Sequence, residues 1–157
     1  MNLKQVPLIL TQTVNMITKY KNSGFAGEML VAAELSRLGY EVLLGNVGTK
    51  KTVGVDLAAV NPDSGVTTSI SVKSLKKKNS FLIDPDKLHK DSVYVFVITN
   101  SAGELPEFFV VSGATLLLNE QEIWGKWGRS YTPLHGGGFS GSKIEKWRNN
   151  WAAIDEG

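Results

Sequence analysis

The run SVYVFVIT at 92–99 is almost wholly apolar, with β-branched and aromatic residues throughout. That length and composition read as a strand, and the missing polar alternation predicts burial on both faces. Around it the chain alternates as half-buried strands do: YEVLL at 40–44, VGVDLAAVN at 53–61, TTSISVKSL at 67–75 and EFFVVS at 107–112. PDSG at 62–65 and SAGELP at 101–106 supply turns between them. Helical spacing marks 7–20, 25–38 with Gly39 as its stop, 114–127, and 143–154, where Ile144, Trp147, Trp151 and Ile154 fall on one stripe. The segment 76–91 reads as an irregular basic connection and 128–142 as a glycine-rich loop. The order α-α-β-β-β-β-β-α-α predicts an α/β fold, a central mixed five-stranded sheet flanked by helices. One domain spans 1–157, with its core over about 24–127 and a C-terminal helix over about 143–154.

Composition narrows the function. At 157 residues and 42% hydrophobic, the chain can bury a sizeable core. A net charge of +2 does not announce a nucleic-acid binder. The absence of cysteine excludes disulfides, thiolate metal sites and cysteine nucleophiles, and fits a cytoplasmic protein. No apolar run approaches the roughly 20 residues of a membrane span.

The hairpin at 53–75 places charge where a strand pair would ordinarily be bland. With its turn centred near Asp63 and Ser64, Asp56 falls opposite Ser71, and Lys73 lies on the diagonal. A slip of one residue would turn these side chains to the other face. On the preceding helix, Phe25, Val31, Ala32, Leu35 and Leu38 fill one arc with Glu28 in its middle. A carboxylate on a packing face costs several kcal/mol unless it is paired or meets a cation. Two carboxylates and a lysine brought together suit hydrolysis of a phosphodiester. The carboxylates offer hard oxygen ligands to Mg²⁺, or to Mn²⁺, and the lysine serves the attacking water and the phosphate charge.

In order, GFAGEMLVAAELSRLGYEV, GVDLAAV and SVKS resemble the PD-(D/E)XK nuclease superfamily, the restriction-endonuclease-like fold, over about residues 24–112. The resemblance implies that Glu28 is the helix glutamate, Asp56 the aspartate of the first hairpin strand, and Lys73 the lysine of (E/Q)-x-K. Ser71 stands where that motif has Glu or Gln. A serine hydroxyl can assist only weakly, through water. The family's geometry would add the backbone carbonyl of Val72 as a metal ligand.

Each residue also has a plainer reading. Asp56 could bond a neighbouring turn, Glu28 could favour the positive end of its helix, and Lys73 could open a solvated cluster with Lys76, Lys77 and Lys78. Those three, with Lys50, Lys51, Lys87 and Lys90, could equally contact phosphates. His89 reads as a surface histidine, and HGGGFSGS as a loop more than a phosphate cradle. Trp124, Trp127, Trp147 and Trp151 read as core or as contacts of a homodimer. The sequence thus points to a Mg²⁺-dependent nuclease acting on nucleic acid, DNA above RNA, with no membrane attachment. Its rivals are a member of the same fold that binds nucleic acid or protein without cleaving, and an unrelated α/β interaction module.

Overall fold

The computed structural model describes residues 23–45, 55–125 and 138–156. The helix expected at 7–20, together with Lys50, Lys51 and Trp127, lies outside them. Helix α1 (Ser23–Arg37) leads into β1 (Glu41–Leu44), β2 (Leu57–Val60) and β3 (Thr67–Leu75). A short β4 (Ser80–Leu82) and a 3-10 turn (Pro85–Lys87) lead to β5 (Ser92–Ile98) and β6 (Glu107–Ser112). Helices α2 (Gly113–Leu118) and α3 (Glu120–Trp124) follow, and then β7 (Gly138–Ser140) and two 3-10 segments, Gly141–Trp147 and Trp151–Glu156.

The central sheet has five strands in the order β1-β2-β3-β5-β6. Only the β3–β5 pair is parallel. β5 is buried along its whole length, as the unbroken run at 92–99 requires. One face of the sheet is covered by α1 and the final 3-10 segment, with Val31, Leu35, Leu57, Ile70, Val72 and Ile154 in its core. The opposite face is covered by α2, α3 and the β4–β7 ribbon, around Phe81, Phe96, Phe109, Leu116 and Phe139. The Phe96 ring takes edge-on contacts from Phe81 at 5.0 Å and Phe139 at 5.2 Å, an arrangement that adds to simple area burial.

Helix α1 stops where the sequence says. Gly39 takes φ +96°, its N–H bonds Ser36 O, and the Tyr40 N–H reaches back to Leu35 O. These are the two bonds that close a helix on a left-handed residue, and glycine adopts that conformation without a Cβ clash. The packing arc is narrower than expected. Gly27, Val31 and Leu35 are buried, while Phe25 and Leu38 are 55% and 49% exposed.

Three other expectations change. The connection at 76–91 is not wholly irregular, because β4 pairs with β7, which lies in the supposed glycine-rich loop. The helical stretch at 114–127 is broken at Asn119, whose N–H bonds Thr115 O and Leu116 O and whose side chain also donates to Thr115 O. The C-terminal helix over 143–154 is two 3-10 segments. Between them Arg148 forms an antiparallel bridge with Phe109, and Asn149 takes φ +50° with its N–H on Phe108 O. Ile144 and Trp147 therefore join the aromatic face, while Trp151 and Ile154 join the α1 face. The expected stripe is shared between two cores, because the chain crosses the edge of β6 at Arg148.

Candidate functional site

The β2–β3 register runs Leu57↔Ile70 to Val60↔Thr67, which extrapolates to Asp56 opposite Ser71. The ladder changes character there. The Asp56 N–H still bonds Ile70 O at 3.0 Å, but the Val72 N–H is met by the Asp56 side chain, with Oδ2 at 2.7 Å. The Ser71 hydroxyl donates to the same oxygen at 3.3 Å. Asp56 thus supplies by side chain the acceptor that the departing β2 backbone no longer offers, and the strand pair opens beneath it. The Gly45 N–H, at 2.8 Å from Asp56 O, ties the end of β1 to the same residue.

Along β3, Ile70 and Val72 pack into the α1 core, and Leu75 packs against the aromatic core. Strand alternation then puts Ser71 and Lys73 on the aromatic face. Ser71 is 2% exposed and Lys73 is half-buried. Asp56, Ser71 and Lys73 share one face.

Glu28 comes from the other side. A Cβ on Gly27 would lie 2.5 Å from Ser74 Cβ and 3.6 Å from Val72 Cγ1, so α1 presses its backbone onto β3 at 72–74. Glu28 is the next residue and is half-buried. Its backbone lies one residue along α1 from the Gly27–Ser74 contact, on the α1 side of the sheet. Any site shared by all four residues must lie at the edge of β3, where β2 leaves it.

Tyr94, a residue that its apolar run hides in the sequence, is the β5 partner of Ser71. It is buried, and its hydroxyl accepts the His89 N–H at 2.9 Å. Burial pushes this phenol above the ordinary tyrosine range; the His89 bond opposes the rise and the nearby Asp56 carboxylate adds to it. The only sequence signal is one polar tip in an otherwise apolar strand.

Lys76, Lys77 and Lys78 are exposed on the link from β3 to β4, and Lys78 pairs with Glu107 at 3.3 Å. Lys87, Lys90 and His89 are exposed as well. Trp124 donates to Ile83 O and stands edge-on to Phe139, so it packs, partly buried, against the core that holds Trp147. Among the described residues, no three histidine or carboxylate side chains group as metal ligands, and no helix is long and apolar enough to cross a membrane.

The fold has a solved counterpart. A bacterial homing endonuclease, I-Ssp6803I, superposes with a TM-score of 0.52 at 14% identity, over 87% of this chain and 93% of that one. At that identity the likeness speaks for the fold. No protein-family model and no curated protein sequence matches the chain.

Proposed function

We propose that the chain is a PD-(D/E)XK-type nuclease that hydrolyses nucleic-acid phosphodiesters, DNA above RNA, with Mg²⁺ or Mn²⁺. The observation that carries the reading is the Asp56 carboxylate, fixed at the opening of β2 and β3 by Val72 and Ser71. Both bonds fall on Oδ2, which leaves Oδ1 to serve a cation. Backbone groups of even-numbered β3 residues turn toward β2, as the Asp56–Ile70 bond shows, and those of odd-numbered residues turn toward β5, as the Thr99–Leu75 bond shows. The Val72 carbonyl therefore shares the strand edge with Asp56 and could be a further ligand. Glu28, on the helix that packs against β3 beside it, would complete an oxygen set suited to an ion that keeps several waters. Mg²⁺ supplies Lewis-acid polarisation of the phosphate oxygens when bound. Lys73 orients the attacking water and offsets the charge that grows on the phosphate. Ser71 positions Asp56, and Lys76, Lys77 and Lys78 hold the backbone nearby.

A specific observation favours a second reading, a member of this fold that binds nucleic acid without cutting it. Both donors of the Asp56–Ser71–Val72 network, the Ser71 hydroxyl and the Val72 N–H, are satisfied without any cation, and Ser71 brings no third carboxylate. Calorimetric titration of Mg²⁺ and Mn²⁺ beside a plasmid-nicking assay separates the two. The nuclease reading expects metal uptake and nicking, with both lost in Asp56→Asn. Lys73→Ala should still take up metal while nicking falls by roughly a hundredfold or more. DNA binding without nicking selects the second reading, and a wild-type protein that takes up no metal overturns the first.

A further inference from the structure

The two edges of the central sheet differ. Along β6 the chain itself closes the edge, through the Arg148 bridge, the Asn149 N–H and the Asn150 side chain. Along β1, among the described residues, β2 is the sole pairing strand. Natural edge strands are commonly protected by charge, proline or a covering segment. In β1 the one charge is Glu41 at its start, and Val42, Leu43 and Leu44 follow. Leu43 is 59% exposed and Leu44 39%. Val42 packs against the α1 core, so Leu44 shares that side and Leu43 lies on the side of Asp56. The edge is therefore apolar on both faces.

Its backbone is ordered for pairing. The Gly45 N–H on Asp56 O continues the β1–β2 register. In an antiparallel ladder, alternate residues bond the same neighbour. Residues 41, 43 and 45 therefore turn their backbone groups toward β2, while Val42 and Leu44 turn theirs outward. A second β1 laid antiparallel about a two-fold axis at Leu43 meets those groups. Val42 of each copy faces Leu44 of the other as a hydrogen-bonded pair, and the two Leu43 side chains meet as a close non-bonded pair. Glu41 faces Gly45, so no like charges oppose each other. An axis at Val42 would instead set Glu41 against Leu43.

We propose that a second copy of this chain docks on β1 and continues the sheet across a two-fold axis at Leu43. The axis stands perpendicular to the sheet, so both Asp56 residues lie on one face, about 20 Å apart by strand spacing and rise. Service of both strands of one duplex by the two sites rests on the nuclease reading; the pairing does not.

An interface this small makes a weak dimer that builds with concentration. The test is sedimentation velocity over a concentration series, with disulfide trapping beside it. Wild type should shift from monomer toward dimer as concentration rises. Leu43→Lys, at an exposed position, sets like charges across the axis and should stay monomeric. The chain has no cysteine, so Leu43→Cys can bond only its own copy, with Cα atoms about 4.5 Å apart and within disulfide reach. Under mild oxidation it should crosslink several-fold faster than Leu82→Cys, an exposed position on β4 that reports random collision. Leu44→Cys, its copies about 8 Å apart, should not exceed that control. The proposal is overturned if wild type stays monomeric throughout, if Leu43→Lys dimerises as wild type does, or if Leu43→Cys crosslinks no faster than Leu82→Cys. A plasmid assay reads the paired sites: wild type should yield linear DNA, and Leu43→Lys nicked circles with little linear product. Equal linear product from both would keep the dimer and sink paired cutting. A dimer that never cuts would sink the nuclease reading and leave the pairing standing.

Discussion

Ser71 shows how one residue settles what a site asks of its neighbours. Its hydroxyl donates to Asp56 from a position 2% exposed, which suits a hydroxyl and punishes an unpaired charge. Ser71→Ala should remove that one bond, at about 1 kcal/mol, and leave the Val72 N–H on Asp56. Ser71→Glu should do more, by setting a second carboxylate against the first. Without metal the variant should be less stable by roughly 2–3 kcal/mol. With Mg²⁺ or Mn²⁺ it should recover that loss and bind the ion more tightly than wild type, because a third carboxylate completes the set. Thermal unfolding with and without metal, beside calorimetry, checks both halves; a stable Ser71→Glu protein that takes up no metal contradicts the metal reading of the hairpin. The Asp56–Ser71 pairing was legible in the sequence because a short turn at Asp63 and Ser64 leaves little freedom of register. The hydrogen bond from the Val72 N–H to the Asp56 side chain was not, since it depends on where β2 leaves the ladder.

At the scale of the element, α1 is held by closeness more than by a broad apolar stripe. Gly27→Ala would gain about 1 kcal/mol of helix propensity, but the new Cβ would lie 2.5 Å from Ser74 Cβ and 2.7 Å from its Oγ. Overpacking of that kind costs about 1–3 kcal/mol, so the variant should be net destabilised in a denaturant titration, and Ser74→Gly should restore most of the loss. A Gly27→Ala protein more stable than wild type would mean that α1 does not press on β3. The lysine link tests another element. Replacing Lys76, Lys77 and Lys78 by Ala should flatten the dependence of log K for DNA on log salt by about 0.9 for each phosphate these lysines neutralise, and an unchanged slope removes the link from the interface. Alternation and turn residues marked all five sheet strands because each signal lies within a few neighbouring residues. The β4–β7 ribbon escaped because Phe81 and Phe139 are far apart in the chain, and each of its strands has only three residues.

The whole molecule is tied together by its last residues. After Trp147 the chain passes along the outer edge of β6, through the Arg148 bridge, the Asn149 N–H on Phe108 O and the Asn150 side chain on Val110 O. It then runs under the α1 face, where Thr68 donates to Ile154 O at 2.9 Å and Asn61 to Asp155 at 3.2 Å. The spacing of Ile144, Trp147, Trp151 and Ile154 fits one helix as well as two segments on opposite faces, so no local pattern could have separated them. Arg148 is the crossing point; its guanidinium lies 4.8 Å above the Phe109 ring and binds Glu107 and Glu145. Burial alone would raise the Glu107 carboxyl, but hydrogen bonds from Arg148 and Lys78 outweigh it and hold the group below the ordinary carboxylate range. A carboxyl lowered in the folded state contributes its stability in full above its unfolded pKa and loses it as pH falls through the folded value. Arg148→Ala should therefore lower Tm by roughly 3 °C at neutral pH, and the gap should close as acid protonates Glu107. High salt should narrow the neutral-pH gap too, because the pair is partly exposed. Thermal unfolding across the acid range measures both effects. A gap that persists unchanged after Glu107 is protonated would show that Arg148 holds the crossing through its contact with Phe109, with the ion pairs adding nothing to stability.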